Sequence, residues 1–454
     1  MKIIIAGAGE VGTHLAKMLS NEDQDIILLD NDQSKLDAID NNYNLMTYNG
    51  STSSFNTLRE VGVDECDLYI AVTPFETRNI TSCSIAKRLG AKKTVARIDN
   101  SEFLQPQNGR ILKEVGADFL IYPENLAANE IDMAMAHNWA RYWGELHGGQ
   151  LVLIGVKLRG ESKLIDMQLK DITFARHDFH VAAIKRNNET IIPTGHDELK
   201  RDDIVYFITT PQFIDEVREL CGKRKRVIRK AMIMGATRIT SRFAQLYSEK
   251  YDLRIIEQDR AVCETFATRF PACEVICGDA RDIEVLRENN IYQYDAFLAL
   301  TDSSETNILS CLTAKEFGVP KTIADVENLQ FFSQAENLNI GTILNKKLLA
   351  SSRIFKVLLD ADESNEKFLM LADAEVAEMQ AKPDSKITKA PVRNLRLPFG
   401  MTLAALVRGE SCELISGQTH IEPGDYVVVF CLSGTFSKVQ KWFSCPSPPR
   451  LRPI

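Results

Sequence analysis

The run Lys2-Ile-Ile-Ile-Ala-Gly-Ala-Gly-Glu-Val-Gly12 sets three glycines at the spacing G-x-G-x-x-G directly after a short apolar segment. That spacing suits the binding of a pyrophosphate. Gly7 allows a tight turn, Gly9 lets the main chain approach the phosphates, and Gly12 lets a following helix pack closely on the preceding strand. With Ala8, Glu10 and Val11 between them, they open a helix whose free N–H groups and dipole favour an anion. Such a hexapeptide is a weak signal alone, but here its context is present. A helical pattern follows over Gly12–Leu19, and a second apolar segment, Ile26–Leu29, ends in Asp30, eighteen residues beyond Gly12. Asp30 is placed to accept hydrogen bonds from ribose hydroxyls and would repel a 2′-phosphate, so NAD(H) is expected over NADP(H).

A second, imperfect version lies at Ala231-Met-Ile-Met-Gly-Ala-Thr-Arg-Ile-Thr240. Gly235 is kept, while Thr237 and Thr240 replace the second and third glycines. A β-branched residue at the second position should obstruct close approach of a ligand, and one at the third should loosen helix–strand packing. Ala236 and Ile239 complete the loop, Glu257 supplies the acidic strand end, and Arg238 stands where the first loop has Glu10. Arg238 is expected to add positive charge where phosphates would sit, favouring a mononucleotide such as ATP or ADP. Ligands sit at the carboxyl ends of parallel strands, so other strand ends should line the same crevices. These are Asn49–Ser51, Thr73–Pro74 and Arg97 in the first half, and Gly278–Ala280, including Asp279, with Thr301–Asp302 in the second. Arg97 could pair with a phosphate; its counterpart is Asp325.

The elements that must carry these residues occur twice. At an offset of 228, Asn49–Asn100 matches Cys277–Asn328 without a gap, pairing Gly50 with Gly278, Asp67 with Asp295, Thr73 with Thr301 and Asn79 with Asn307. At an offset of 222, Val-Ala-Ala-Ile-Lys-Arg (181–186) matches Leu-Ala-Ala-Leu-Val-Arg (403–408). In each larger unit short apolar strands alternate with helical patterns, which predicts βαβ crossovers and a Rossmann-like, doubly wound parallel sheet. Each smaller unit reads as a compact α+β module. The expected organisation is a nucleotide domain at 1–123, a connecting helix at 124–144, a small domain at 145–222 and a basic linker at 223–230. A second nucleotide domain at 231–348, a helix at 349–366, a small domain at 367–445 and a disordered, proline-rich tail at 446–454 complete it.

The chain has 454 residues and 54 basic against 62 acidic side chains, a formal charge of −8. A nucleic-acid binder should lean basic, so no nucleic-acid partner is expected, despite the run Lys223-Arg-Lys-Arg-Val-Ile-Arg-Lys230, which reads as a solvated linker or a docking patch. No apolar run reaches the roughly 18–20 residues of a spanning helix, and a soluble, cytosolic protein with free thiols is expected from its ten cysteines. No metal site is expected: His177 and His180 could ligate at i, i+3 but read as surface residues. Trp139, Tyr142 and Trp143 continue a helical pattern and suggest a packing anchor, such as one against another subunit. No nucleophile elbow, Walker loop or catalytic carboxylate pair is present.

These motifs resemble the regulator-of-potassium-conductance (RCK/KTN) family, and within it the peripheral subunits of bacterial Trk potassium uptake. The resemblance spans nearly the whole chain and includes Leu-Arg-Glu-Val-Gly-Val-Asp (58–64), Ala-Val-Thr (71–73), Ala-Arg-Ile (96–98) and Leu-Thr-Asp-Ser-Ser-Glu-Thr-Asn (300–307). It implies a non-catalytic gating subunit that binds NAD(H) or adenine nucleotides. Such a subunit would form a homo-oligomeric ring, expected as a tetramer of tandem chains. The ring would sit on the cytoplasmic face of the inner membrane, beneath a membrane-spanning, potassium-conducting Trk subunit. The rival reading is an NAD-dependent oxidoreductase with tandem Rossmann domains.

Overall fold

The computed structural model describes residues 1–20, 24–40, 43–175, 178–187, 189–338, 340–359, 367–371, 374–409, 411–432 and 434–444. In the first half, β1 (Lys2–Ala6), β2 (Asp25–Asp30), β3 (Met46–Asn49), β4 (Leu68–Ala71), β5 (Lys93–Arg97) and β6 (Phe119–Ile121) form a parallel sheet in the order β3-β2-β1-β4-β5-β6. The continuous apolar runs are what a parallel strand needs when helices cover both of its faces; Ile3, Ile4 and Ile5 are completely buried. Strand order reverses between β1 and β4, so a crevice opens at their carboxyl ends beside the first glycine loop. The second half repeats this sheet with Glu274–Cys277, Asp252–Glu257, Lys230–Met234, Ala296–Ala299, Lys321–Asp325 and Thr342–Leu344 in the same order.

Each small domain is a five-stranded antiparallel sheet. In the first, strands run in the order Glu189–Ile191, Phe179–Arg186, Ile204–Thr209, Leu151–Lys157, Tyr142–Leu146; the second has the equivalent order. The two sheets share a core, with Leu153, Ala183 and Ile208 against Val376, Ala405 and Phe430. His180 lies at that seam, Nε2 to Thr402 Oγ1 at 3.4 Å, and burial lowers its pKa to about 4. It is an interface residue rather than a surface one. His177 lies outside the described residues, among which no cluster of metal-ligating side chains occurs.

Two loop helices follow the glycine loops, Glu10–Leu19 and Arg238–Tyr247. Two connecting helices, Pro123–Ala136 and Lys346–Leu359, cross between the halves. The first buries Ala127, Ile131 and Met135 against Ile239 and Phe243 of the second loop helix. The second places Ala350, Ile354 and Val357 in the core that holds Val11, Leu15 and Leu19 of the first loop helix. Each apolar stripe recurs every third or fourth residue, as one buried helix face requires.

The first connecting helix is shorter than expected. It stops at Ala136, and Tyr142–Leu146 is a strand, so residues 137–144 are not helical. Trp139 and Trp143 are anchors within the first small domain's own core, with His137 stacked on Trp143 at 3.4 Å. The basic linker is also more tethered than a solvated run. Asn138 Nδ2 donates to Arg226 O at 2.6 Å, Arg226 N donates back at 3.2 Å, and Ile228 is buried. Residues 360–366 of the second expected helix and the 446–454 tail lie outside the described residues. The nine described cysteines are free thiols, and no described helix is long and apolar enough to cross a membrane.

Candidate nucleotide sites

At the first site Gly7 has φ +116°, and an added Cβ would approach Thr73 N at 3.0 Å. A Cβ on Gly12 would stand 1.9 Å from Gly7 O, so close helix–strand packing demands glycine there. A Cβ on Gly9 would meet nothing within 4 Å. Gly9 therefore faces open space, and it starts the loop helix without a side-chain cap. The first-turn N–H groups of such a helix are left for an anion. Asp30 is buried; its Oδ2 accepts from Ala8 N at 2.6 Å and its Oδ1 from Asp32 N at 3.0 Å. The carboxylate thus shapes the loop that it would share with a ribose. Arg97 has a buried Nε with no hydrogen-bond partner among the described residues, and its nearest acid, Asp99, is 3.9 Å away. Thr73 is buried at the end of β4, while Pro74 is exposed beside it.

The second site is built on the same plan and closed differently. Met234, Gly235, Thr237, Glu257, Gly278, Asp279 and Thr301 line a crevice of about 340 Å³. Glu257 repeats the role of Asp30, accepting from Ala236 N at 2.8 Å and Asp259 N at 2.9 Å. Thr237 caps the loop helix through a long bond from Thr240 N, 3.5 Å, which engages a group left free at Gly9. Thr240 does not loosen the packing: it is fully buried, and its hydroxyl donates to Gly235 O at 2.6 Å. The hydroxyl pins the helix to the strand where the first half relies on a missing side chain. Asp279 is clamped by Arg281 at 2.6 Å, which holds its carboxyl below the ordinary range. Asp325 is buried with Oδ1 unpartnered among the described residues, and burial followed by Glu327 pushes its pKa up to about 8.

Arg238 is paired with acids of the other half. Its guanidinium lies 3.0 Å from Asp99 and 3.6 Å from Glu124, both in the first half. Glu10 in turn meets Lys347 of the second connecting helix at 3.1 Å. The two charges expected to distinguish the phosphate pockets are neutralised across the interface between the halves.

A family model described as "TrkA-N domain" matches residues 3–123 and 231–346, and one described as "TrkA-C domain" matches 153–222. "Trk system potassium uptake protein TrkA" of Vibrio alginolyticus is 31% identical over 456 residues, covering 99% of each chain. The chain belongs to the TrkA family.

Its homologue in Haemophilus influenzae is 30% identical over 95% of each chain, and that in Archaeoglobus fulgidus 30% identical over 98% of this chain and 100% of its own. Among solved structures, "GsuK channel bound to NAD" has a TM-score of 0.60 at 14% identity, covering 97% of this chain and 78% of that one. "Crystal Structure of the GsuK RCK domain" has 0.59 at 14%, covering 97% and 94%. At that identity these two show the fold, which is the expected one.

In this TrkA-family chain the asparagines of the repeat carry a role that sequence reading left unassigned. Asn79 Oδ1 accepts from Thr73 N at 3.0 Å and from its hydroxyl at 2.6 Å, while Nδ2 donates to Thr73 O and Arg97 O, both at 2.9 Å. One side chain therefore ties the ends of β4 and β5 together. Asn307 makes the same set with Thr301 and Asp325. The signal was an amide at the same place in both copies; Glu124 and Lys347 gave none, because their partners lie in the other half.

Proposed function

We propose that the chain is a regulatory, nucleotide-sensing, non-catalytic subunit of a membrane potassium transporter, acting in potassium uptake. The first crevice takes NAD(H) as its preferred ligand. The observation that carries this is the first glycine loop, where open space in front of Gly9 meets an uncapped helix start and a buried Asp30. A bound dinucleotide would lay its pyrophosphate on Gly7–Gly12, with Arg97 available to a phosphate oxygen and Asp30 to a ribose. The second crevice, defined by Gly235–Ile239, Glu257, Asp279 and Thr301, is read as a weaker adenine-nucleotide site taking ATP or ADP. Family membership supports the potassium role, and the NAD bound by the GsuK channel fits the ligand. The assembly is read as a homo-oligomeric ring, a tetramer of tandem chains, docked peripherally under the potassium-conducting Trk subunit at the cytoplasmic face of the inner membrane.

Calorimetric titration of the full chain with NADH, NAD, ATP and ADP tests the ligand reading through stoichiometry per chain. Potassium flux through the membrane subunit, with and without this chain and nucleotide, tests the regulatory reading. Net reduction or oxidation of the bound cofactor by a small-molecule substrate would instead favour the oxidoreductase.

A further inference from the structure

The contacts between the halves obey an approximate two-fold symmetry in position and break it in charge. Glu10 and Arg238 are each the first residue of a loop helix, and Glu124 and Lys347 are each the second residue of a connecting helix. The two bridges formed, Glu10 to Lys347 and Arg238 to Glu124, are therefore equivalent in place and reversed in sign. Asp99 reinforces the second at 3.0 Å. We propose that this charge reversal makes the surface selective for an unlike half. A pair of first halves would set Glu10 against Glu124 with Asp99 beside them, three acids with Arg97 3.9 Å from Asp99. A pair of second halves would set Arg238 against Lys347, with Glu327, the counterpart of Asp99, 3.8 Å from Lys347, so the first-half pair is the more strongly disfavoured.

The attraction in the observed pairing is small, because the Glu10 side chain is 78% exposed and that of Arg238 55%. The penalty in the wrong pairing is the larger effect. Glu124 is only 5% exposed, and a nearly buried charge left facing a like charge is costly, whereas Lys347, 14% exposed, keeps Glu327 of its own half at 3.8 Å. The rest of the interface agrees. The second loop helix and the turn after it present Arg242, Tyr247, Lys250 and Tyr251 to Asn125, Asn129 and Asp132. The first presents Val11, Leu15 and Leu19 to an apolar stripe. Exchanging partners would set Val11, Leu15 and Leu19 over Ala127, Ile131 and Met135, but would strip Asn125, Asn129 and Asp132 of their partners on the second loop helix and the turn after it.

Zero-length carbodiimide coupling of carboxylates to amines in the full chain, with peptides mapped by mass spectrometry, tests the proposal. The unmodified chain should give the Glu10–Lys347 amide. In Glu124→Lys, Glu10 should also couple to position 124, and particle mass should rise with concentration as copies join through like halves. Retention of only the Glu10–Lys347 link at unchanged mass would overturn the proposal. If that variant does not fold, charge exchange decides. Glu10→Lys and Lys347→Glu should each lower the thermal midpoint and the pair should restore it, whereas four equal midpoints would also overturn it.

Discussion

The two glycine loops of this chain descend from one plan, yet one is built around absent atoms and the other around added ones. At Gly9 and Gly12 the first loop has no side chains, which leaves a helix start open and a helix–strand contact close. At Thr237 and Thr240 the second loop has two hydroxyls, one capping the helix and one bonding Gly235 O. Both solutions position a helix at a strand end. Only the first leaves the N–H groups of its helix start without a side-chain cap. The difference teaches that a degenerate motif need not mean a loosened fold: the second half has exchanged ligand-directed donors for internal hydrogen bonds.

The comparison can be broken most directly at Gly9. Gly9→Val should cost at least about 100-fold in NADH affinity at the first crevice, because the side chain takes the ligand's space. The unbound fold should be preserved, since a Cβ there meets nothing within 4 Å. Titration alongside a thermal melt separates the two; unchanged affinity sinks the assignment. Asp30→Ala comes next, with an expected loss of about 1–3 kcal/mol in NAD(H) binding and a relaxed preference against NADP(H). An unaltered ratio of the two affinities would take Asp30 off the ribose. Thr237→Gly sharpens the comparison from the other side. It should gain roughly tenfold in nucleotide affinity at the second crevice, about 1.4 kcal/mol, while losing only a few tenths of a kcal/mol of capping. No gain would mean that the cap is not what limits binding.

The smallest effect concerns Asp325, where the first half has Arg97. Burial, followed by the neighbouring Glu327, holds the Asp325 carboxyl well above the ordinary aspartate range, which opens a pH window in which the folded chain keeps a proton that the unfolded chain has lost. Folded protein thus binds more protons than unfolded across that window, so this group's cost to stability grows as pH rises through it. Asp325→Asn should raise the thermal midpoint by about 2–4 °C at pH 8 and by less at pH 5. A gain independent of pH would assign the effect to packing.

The doubly wound parallel sheets and the duplication were legible in the sequence because their signals are local: apolar runs, glycine turns and a fixed offset. The candidate loops were legible for the same reason. What sequence reading missed is non-local. Arg238 was read with its own loop alone, and its pairing with Glu124, on a helix belonging to the other half, left no local signal. Thr240 looked disruptive because a side chain at Gly12 would clash, yet its hydroxyl turns the close contact into a hydrogen bond. Trp139 and Trp143 kept a helical spacing after Ala136, although the chain had already turned into a strand of the next domain.

The exchange of connecting helices also bears on the order in which the protein is made. The apolar stripe of Val11, Leu15 and Leu19 leaves the ribosome near the start of synthesis, while Ala350, Ile354 and Val357 leave it late. At roughly 5–20 residues per second, that stripe waits on the order of tens of seconds for the helix that shares its core. The first nucleotide domain is therefore born with an uncovered face and finished only when the second half arrives. Nascent chains stalled before residue 346 should be held by chaperones that bind apolar segments, and chains whose second connecting helix has emerged should let them go.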